Sequence, residues 1–251
     1  MSPTPAEAFF DAIAGRYERS YAPSTVESRR RMARILAALP SSPSRVLDLG
    51  VGTGRELSAL LDAGHAPTGL DASRSMLERC SRRARPVPLV RADFWVAPLP
   101  FDAGEFDAVI ALHGTLAHPP DGQAIGRLAA ELARVVRAGG VFVAEAPSPA
   151  WLERVGGGDS GDARDALRDT LSQLSHSTSP LPQPGSVDDR RVRRTSGRTC
   201  VYEDLVTGAS IEATVLDEAE WRGALAPRWS ARLEPVDGIE WLVVAHRDHD
   251  P

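Results

Sequence analysis

Between Arg45 and Pro147, short apolar runs alternate with amphipathic stretches of helical period. A strand buried on both faces has a nearly continuous apolar sequence, and parallel neighbours need a crossover connection, usually a helix. The alternation therefore predicts a parallel sheet covered by helices. Five strands are predicted, over Val46–Leu49, Pro67–Asp71, Val87–Arg91, Phe106–Ala111 and Val141–Ala144. Helices are predicted over Arg55–Ala63, from an N-cap at Ser73 to Arg83, and over Asp121–Arg137.

We place the core at residues 45–150. The segments on either side of it are predicted to cap the sheet and to form an insertion. Residues 1–44 hold two predicted helices that would cap the ligand edge of the sheet, Pro5–Ser20 and Thr25–Leu39. Residues 151–216 would form an insertion and possible substrate lid, with a helix over Asp162–His176 between flexible joints and a hairpin around Thr207 and Gly208. Residues 217–251 would complete the sheet with a helix over Glu218–Ala226 and antiparallel strands near Ser230–Leu233 and Ile239–Ala245.

A glycine loop joins the first predicted strand to its helix. Gly50, Gly52 and Gly54 occupy alternate positions after Asp48. Glycine allows close approach of a ligand to the backbone, and the following helix presents free N–H groups and a partial positive end. The same loop could equally be a simple connection. The dinucleotide fingerprint G-x-G-x-x-G fails because Arg55 occupies the place of its third glycine, which argues against a nicotinamide cofactor.

Acidic residues end the next two predicted strands. Asp71 lies about where an acidic residue meets adenosine ribose hydroxyls in this architecture, and its alternative role is to cap the helix that starts near Ser73. Asp93 could accept from an adenine amino group, or it could be an ordinary turn residue. Ligands of such sheets bind beyond the carboxyl ends of the strands, so the joint occurrence of these features indicates one site.

With these motifs the chain resembles the class I S-adenosylmethionine-dependent methyltransferases, in the branch that methylates small molecules. The resemblance covers about Arg45 to Pro147 and depends on the segments 46–54, 69–73, 92–94, 106–110 and 132–140. It implies an α/β fold with a Rossmann-like, mostly parallel, seven-stranded sheet, helices on both faces and a helical and β-hairpin insertion after the fifth strand. It also implies S-adenosylmethionine as cofactor and S-adenosylhomocysteine as product.

The resemblance assigns roles to particular residues. Asp48, Gly50 and Gly52 would face the methionine end of the cofactor, Asp71 the ribose, and Asp93 with Phe94 the adenine. The other cofactor-binding residues that it implies are Tyr17, Tyr21, Thr53, Gly54, Ala72, Met76, Ala111 and Leu112. Tyr17 and Tyr21 would close over the cofactor. Ala111, Leu112 and His113 would line the passage to the acceptor.

The implied reaction is an in-line displacement at the methyl carbon, which needs a base only if the acceptor arrives protonated. His113 is our candidate base, because it follows the fourth strand and imidazole titrates near neutral pH. Its alternative role is a hydrogen bond to ligand or loop. We expect His118 to be structural, and we keep it with His113 as a candidate substrate contact.

Arginines are grouped in two places. Arg194 and its neighbours could bind an anionic acceptor, although we favour a solvated strand face neutralised by nearby carboxylates. Arg29, Arg30, Arg31 and Arg34 are predicted to form a solvent-facing helix surface.

The overall composition argues against several other classes of protein. A formal charge of −5 gives no general attraction to nucleic acid, which we do not expect as a partner. Cys80 and Cys200 match no metal or disulfide pattern, and the histidines and carboxylates show no metal-ligand spacing. Neither a leader nor a membrane span is expected, so we predict a cytoplasmic monomer or homodimer. A cofactor-binding protein without turnover, and non-methylating chemistry on the same cofactor, remain alternatives.

Overall fold

The computed structural model of the chain describes residues 3–21, 25–83, 85–156, 190–236 and 240–249. The strands are β1 (Arg45–Leu49), β2 (Ala66–Asp71), β3 (Leu89–Arg91), β4 (Phe106–Ala111), β5 (Val136–Pro147), β6 (Arg190–Ser196), β7 (Thr199–Asp204), β8 (Ser210–Thr214), β9 (Trp229–Val236) and β10 (Glu240–Arg247). The helices are α1 (Pro5–Ile13), α2 (Tyr17–Tyr21), α3 (Thr25–Ala38), α4 (Leu57–Asp62), α5 (Arg74–Arg83), α6 (Ala124–Val135), α7 (Pro149–Gly156) and α8 (Glu218–Leu225). A short 3-10 helix over Thr115–Ala117 follows β4.

A seven-stranded sheet in the order β3-β2-β1-β4-β5-β10-β9 forms the centre of the molecule. The strands β1 to β5 pair in parallel, and β10 runs antiparallel to both β5 and β9. The predicted α/β fold, with a Rossmann-like and mostly parallel sheet, is confirmed. The two predicted C-terminal strands also complete the sheet as expected.

Helices cover both faces of this sheet. Successive residues of a strand point to opposite faces. Val109 of β4 belongs to the core cluster that contains Leu132 of α6 and Trp221 of α8. The next residue, Ile110, belongs to the cluster that contains Ile35 of α3. The central strands are therefore buried on both sides, which explains their continuous apolar sequence.

The predicted N-terminal helix over Pro5–Ser20 is wrong as one element. α1 ends at Ile13, a turn covers residues 14–16, and α2 begins at Tyr17. Gly15 in this turn has low helix propensity, so the break costs little. The turn lets Ile13 and Tyr17 both contact the cluster around Met76 of α5.

The insertion after β5 contains a three-stranded antiparallel sheet, in the order β6-β7-β8, instead of a single hairpin. The chain reverses at Gly197, which has a φ of +52° that favours glycine. The second reversal lies at the predicted turn, where Gly208 has a φ of +72°. The helix predicted over Asp162–His176 lies outside the described residues.

A buried ion pair connects the N-terminal helices to this inserted sheet. Arg16 Nη1 lies 2.6 Å from Asp204 Oδ1, and the two side chains are 9% and 0% exposed. The same carboxylate oxygen accepts from the main-chain N–H of Thr207 at 2.9 Å. Burial of charges is tolerated only when they are paired, so this contact ties together the two segments that cover one edge of the central sheet.

We expect Asp204→Asn to destabilise the fold by about 3 kcal/mol, near the lower end of the range for breaking a buried ion pair. The asparagine amide oxygen can still accept from Thr207 N–H, but the substitution removes the negative charge opposite Arg16. Chemical denaturation followed by circular dichroism measures this change. The matched control is Glu203→Gln at the preceding residue, which removes a surface ion pair between Glu203 and Arg191. It should change stability by less than about 1 kcal/mol. Equal effects of the two variants would contradict the role of the buried pair.

Candidate active site

A cavity lies at the carboxyl edge of the sheet, where the parallel strands β1, β2, β3 and β4 end. Its empty volume is about 670 Å³. The lining residues are Thr4, Ala6, Glu7, Phe10, Tyr17, Gly50, Gly52, Asp71, Ala72, Ser73, Met76, Asp93, Phe94, Trp95, His113, Thr115 and His118. A smaller adjoining cavity is lined by Tyr17, Asp48, Gly50, Val51, Gly52, Thr53, Arg55, Glu56, Leu112, His113 and Thr115. The topology therefore brings most of the predicted site residues together.

The glycine loop forms the floor between the two cavities. Gly50 and Gly52 have φ values of +73° and +53°, in the left-handed region. A Cβ atom on Gly50 would lie 2.5 Å from Cγ2 of Thr115, so a side chain there would collide with the 3-10 helix after β4. Gly52 has open space beside its Cα, since the nearest atom to a Cβ would be 3.9 Å away. Gly54 lines neither cavity, and its N–H closes the turn by donating to Val51 O at 2.9 Å.

Asp71 caps the following helix, which is one of the two roles that its position suggested, and its role toward a ribose stays a prediction. Its Oδ1 accepts from Ser73 N and its Oδ2 from Gly52 N, each at 2.8 Å, so it stabilises the start of α5 and the glycine loop. It also lines the large cavity. Burial raises the pKa of Asp71 to about 6, although these main-chain hydrogen bonds oppose the shift.

Asp48 is a buried carboxyl group that is incompletely satisfied. Its side chain is 3% exposed, and Oδ2 has no hydrogen-bond partner among the described residues. Burial raises the pKa of Asp48 well above its ordinary value, and the negative charges of Glu56 and Asp71 add to the shift. A buried polar atom without a partner is costly unless a ligand or water satisfies it. Asp48 lines the smaller cavity, where a ligand could do so.

Aromatic side chains surround the end of the cavity beyond β3. Asp93 lines the cavity, and its Oδ1 also accepts from Trp95 N at 2.9 Å, as expected of a turn residue. The rings of Phe94 and Trp95 lie 4.9 Å apart, and Phe10 of α1 lines the same cavity. These flat apolar surfaces suit a planar ring.

His113 is held on both sides of its ring. Its Nδ1 lies 2.8 Å from Nη1 of Arg31, and its Nε2 lies 2.6 Å from Oε1 of Glu56. Because a guanidinium group can only donate, Nδ1 accepts, and Nε2 carries the proton that is donated to Glu56. Burial raises the pKa of Glu56, but the hydrogen bond from His113 and the nearby charge of Arg55 oppose this effect, and the pKa lies below its ordinary value.

The prediction that Arg31 faces solvent is wrong. Its side chain is 16% exposed, and its Nε lies 2.8 Å from Glu145 of β5 while Nη2 lies 3.0 Å from Glu240 of β10. Arg31 is one turn before the buried Ile35 in α3, so the helical period places it toward the sheet. That spacing was visible in the sequence, whereas its acidic partners come from distant segments.

Other predicted site residues differ in position. Tyr17 lines both cavities with the Arg55 guanidinium 4.8 Å from its ring centre, whereas the Tyr21 side chain lies outside the described residues. Ala111 is buried in β4 and lines neither cavity. Arg194 also lines neither, and its Nη2 donates to Gly197 O at 2.7 Å within the β6–β7 turn. Its predicted contact with substrate stays a prediction.

The sequence reasoning missed several lining residues. They are Thr4, Ala6, Glu7, Phe10, Ser73, Trp95 and Thr115 in the large cavity, and Val51, Arg55 and Glu56 in the smaller one. Glu56 could have been found, because a carboxylate directly after a glycine loop lies near the helix start. The α1 residues carry no such signal, since only the tertiary fold places α1 over the sheet edge.

No helix in the described segments is long and apolar enough to cross a membrane. No three His, Cys, Asp or Glu side chains in those segments are grouped as a metal ion would require.

Comparison with known proteins agrees with this fold. Residues 46–140 match a family described as "Methyltransferase domain". The chain is 31% identical over 219 residues to a demethylmenaquinone methyltransferase of Beutenbergia cavernae, covering 85% of this chain and 81% of that protein. It is 29% identical over 200 residues to the cypemycin N-terminal methyltransferase of Streptomyces sp, covering 79% and 74%. An amino pentose methyltransferase of Micromonospora echinaspora, solved with S-adenosylmethionine bound, has the same fold, with a TM-score of 0.63, 21% identity and coverage of 94% and 96%.

The fold is an α/β fold with two adjoining cavities at the glycine loop after β1. The chain belongs to the class I S-adenosylmethionine-dependent methyltransferases. It is an enzyme that uses S-adenosylmethionine to methylate a small molecule, as the resemblance implied.

We expect Gly50→Ala to weaken binding of S-adenosylhomocysteine by at least about tenfold, or roughly 1.4 kcal/mol, because its Cβ would displace Thr115 and the loop that lines both cavities. Isothermal titration calorimetry measures this affinity. Gly208→Ala is the matched control, since it has a similar φ of +72° but nothing within 4 Å of a Cβ. Both variants should lose about 1–2 kcal/mol of stability from backbone strain, and only Gly50→Ala should lose affinity. Unchanged affinity in Gly50→Ala would contradict the steric argument.

Proposed function

We propose that the large cavity binds the adenosine of S-adenosylmethionine and the smaller cavity its methionine end. In this arrangement Asp93, Phe94 and Trp95 surround the adenine, and Asp71 accepts from the ribose hydroxyls. Gly50, Gly52 and Asp48 face the methionine end. The observation that carries the proposal is the unsatisfied Asp48 Oδ2 near the open space beside Gly52, because the first offers a ligand a polar contact and the second offers it room.

The protein contributes to the reaction by aligning the reacting groups and by enclosing them away from water. When bound, the cofactor supplies a methyl carbon activated by a positively charged sulfur. Correct alignment of the reacting groups contributes up to about 7–11 kcal/mol in favourable systems. Phe10 of α1 and His118 cover the cavity opposite the glycine loop, with their ring centres 6.0 Å apart. They would exclude water from the acceptor side.

We further propose that the acceptor is uncharged or cationic at its reacting end. The acidic side chains that line the large cavity are Glu7, which lies 2.7 Å from Arg91 Nη2, Asp71 and Asp93, and none of the described lining residues there is an arginine. A phosphate or carboxylate would therefore find no guanidinium partner among these lining residues. The anionic acceptor considered for Arg194 therefore loses support. Two of the named relatives are a demethylmenaquinone methyltransferase and an N-terminal methyltransferase, and their names fit a hydroquinone or amine acceptor.

Three statements from the sequence stay predictions. They are the location in the cytoplasm, the choice between monomer and homodimer, and the absence of a nucleic acid partner.

Affinity for S-adenosylhomocysteine should fall as the pH drops through about 6, the pKa of Asp71 in the free protein. The reason is that the ribose hydroxyls donate to the carboxylate, so binding favours the ionised form, which is present above that pKa. Asp71→Asn should bind more weakly at pH 8 by about 1.5–3 kcal/mol and should lack this pH dependence. Calorimetry between pH 5 and about pH 8 measures both effects. The same slope in the variant would remove Asp71 from the ribose site.

The acceptor class is tested with a dihydroxynaphthalene, an alanyl peptide with a free amino terminus, and glucosamine, with glucose 6-phosphate as the anionic comparison. Mass spectrometry should show a product heavier by one methylene group for at least one of the first three probes, with an equal amount of S-adenosylhomocysteine. A reaction without cofactor is the control. Methylation of the phosphate alone would contradict the acceptor class, and failure to bind S-adenosylhomocysteine would contradict the cofactor site.

A further inference from the structure

We infer that His118, and not His113, is the base that removes the proton from the acceptor during methyl transfer. The inference rests on the proposed function, because it needs the acceptor to lie in the large cavity. Both histidines line that cavity, so their positions alone do not distinguish them. The distinction comes from the hydrogen bonds of the two rings.

His113 has no nitrogen available for a proton. Arg31 donates to Nδ1, and the proton on Nε2 is donated to Glu56. To act as a base, His113 would have to break its bond to Arg31, whose guanidinium is also held by Glu145 and Glu240. His113 therefore acts as a positioning residue that connects the end of β4 to the start of α4.

The ring of His118 has the opposite arrangement. Its Nδ1 lies 2.7 Å from the main-chain oxygen of Glu212 in β8. A carbonyl oxygen can only accept, so Nδ1 carries the proton and Nε2 has a free electron pair. No described residue bonds to Nε2, and this atom is not among the polar atoms sealed from solvent. The edge contact with Phe10 further fixes the ring.

The surroundings of His118 keep its ring neutral. Burial lowers the pKa of His118, and the bond to Glu212 O offsets only part of this effect. The titratable side chains that line the cavity with it are Glu7, Tyr17, Asp71, Asp93 and His113. On β8, Glu212 contributes its carbonyl while its side chain is exposed. A neutral imidazole at pH 7 is the form that a base requires.

The step balances without a further reactant. His118 Nε2 takes the proton of the acceptor O–H, N–H or activated C–H group, and the electron pair left on the acceptor forms the new bond to the methyl carbon. The bond from that carbon to sulfur breaks, and its electron pair stays on the sulfur as a neutral thioether. His118 then releases the proton to water. The fixed Nδ1–H directs the free Nε2 throughout, as the second partner of a catalytic histidine does.

The decisive variant is His118→Asn, because the asparagine amide can replace Nδ1–H as donor to Glu212 O but has no counterpart of Nε2. With the best substrate among the three probes, kcat at saturating cofactor should fall by roughly 100-fold or more, the lower end of the range for general-base catalysis. KM and the affinity for S-adenosylhomocysteine should stay within about twofold. His246→Asn, at an exposed position of β10 outside the cavity, is the control.

The pH profile separates a base from a structural histidine. In the wild type, kcat at saturating cofactor should fall below a pKa under 6.5, the ordinary value for histidine, and this inflection should be absent in His118→Asn. Saturating cofactor suppresses the contribution of Asp71 to this profile. A variant that keeps the wild-type kcat, or one that raises only KM, would overturn the inference.

Nuclear magnetic resonance of protein with nitrogen-15-labelled histidine, saturated with S-adenosylhomocysteine, tests the same point without an acceptor. At pH 7, His118 should be neutral with its proton on Nδ1, and His113 should carry its proton on Nε2. His118→Asn and His113→Asn assign the signals. A His118 proton on Nε2 at pH 7 would overturn the inference even if none of the acceptor probes reacts. Loss of cofactor binding in the wild type would instead show that the proposed function has failed.

Discussion

The parallel pairing of β1 with β2 and β4 is the constraint on which the site depends. Parallel neighbours end at the same edge of a sheet, so Gly50, Asp71 and His113 come together although they are far apart in sequence. The hydrogen bond from Gly52 N to Asp71 then fixes the two loops relative to each other at 2.8 Å. The cavity is thus a consequence of strand order, and the loops supply its chemistry.

Buried charge organises the side of the site near β4 and β5. Arg31 forms ion pairs with Glu145 and Glu240, and its Nη1 donates to His113, whose other ring nitrogen contacts Glu56. Charged groups in the interior are stable only when they are paired and hydrogen-bonded, which makes this network depend on all its members. It fixes the tautomer of His113 through contacts to both ring nitrogens. The simpler surroundings of His118, a carbonyl and an aromatic edge, leave one nitrogen open.

The cover of the cavity comes from segments at opposite ends of the chain. α1 contributes Phe10 and Glu7 to the cavity lining, and the inserted sheet holds the α1–α2 turn through Asp204 and holds His118 through Glu212. Because small-molecule enzymes of one fold differ mainly in such added segments, the cover is where acceptor specificity would lie.

Local patterns in the sequence were enough for the sheet, its helices, the glycine loop and the acidic strand ends, because each depends on residues a few positions apart. The apolar runs, Gly50 to Gly54 and Asp71 carry those signals directly. The break between α1 and α2, the third strand of the insertion and the burial of Arg31 depended on packing that no local pattern encodes. The hydrogen-bond partners of His113 and His118 were also decided by tertiary structure alone. A histidine tautomer is set by its hydrogen-bond partners, and here those partners, Arg31, Glu56 and Glu212, are distant in the chain and meet only once it is folded.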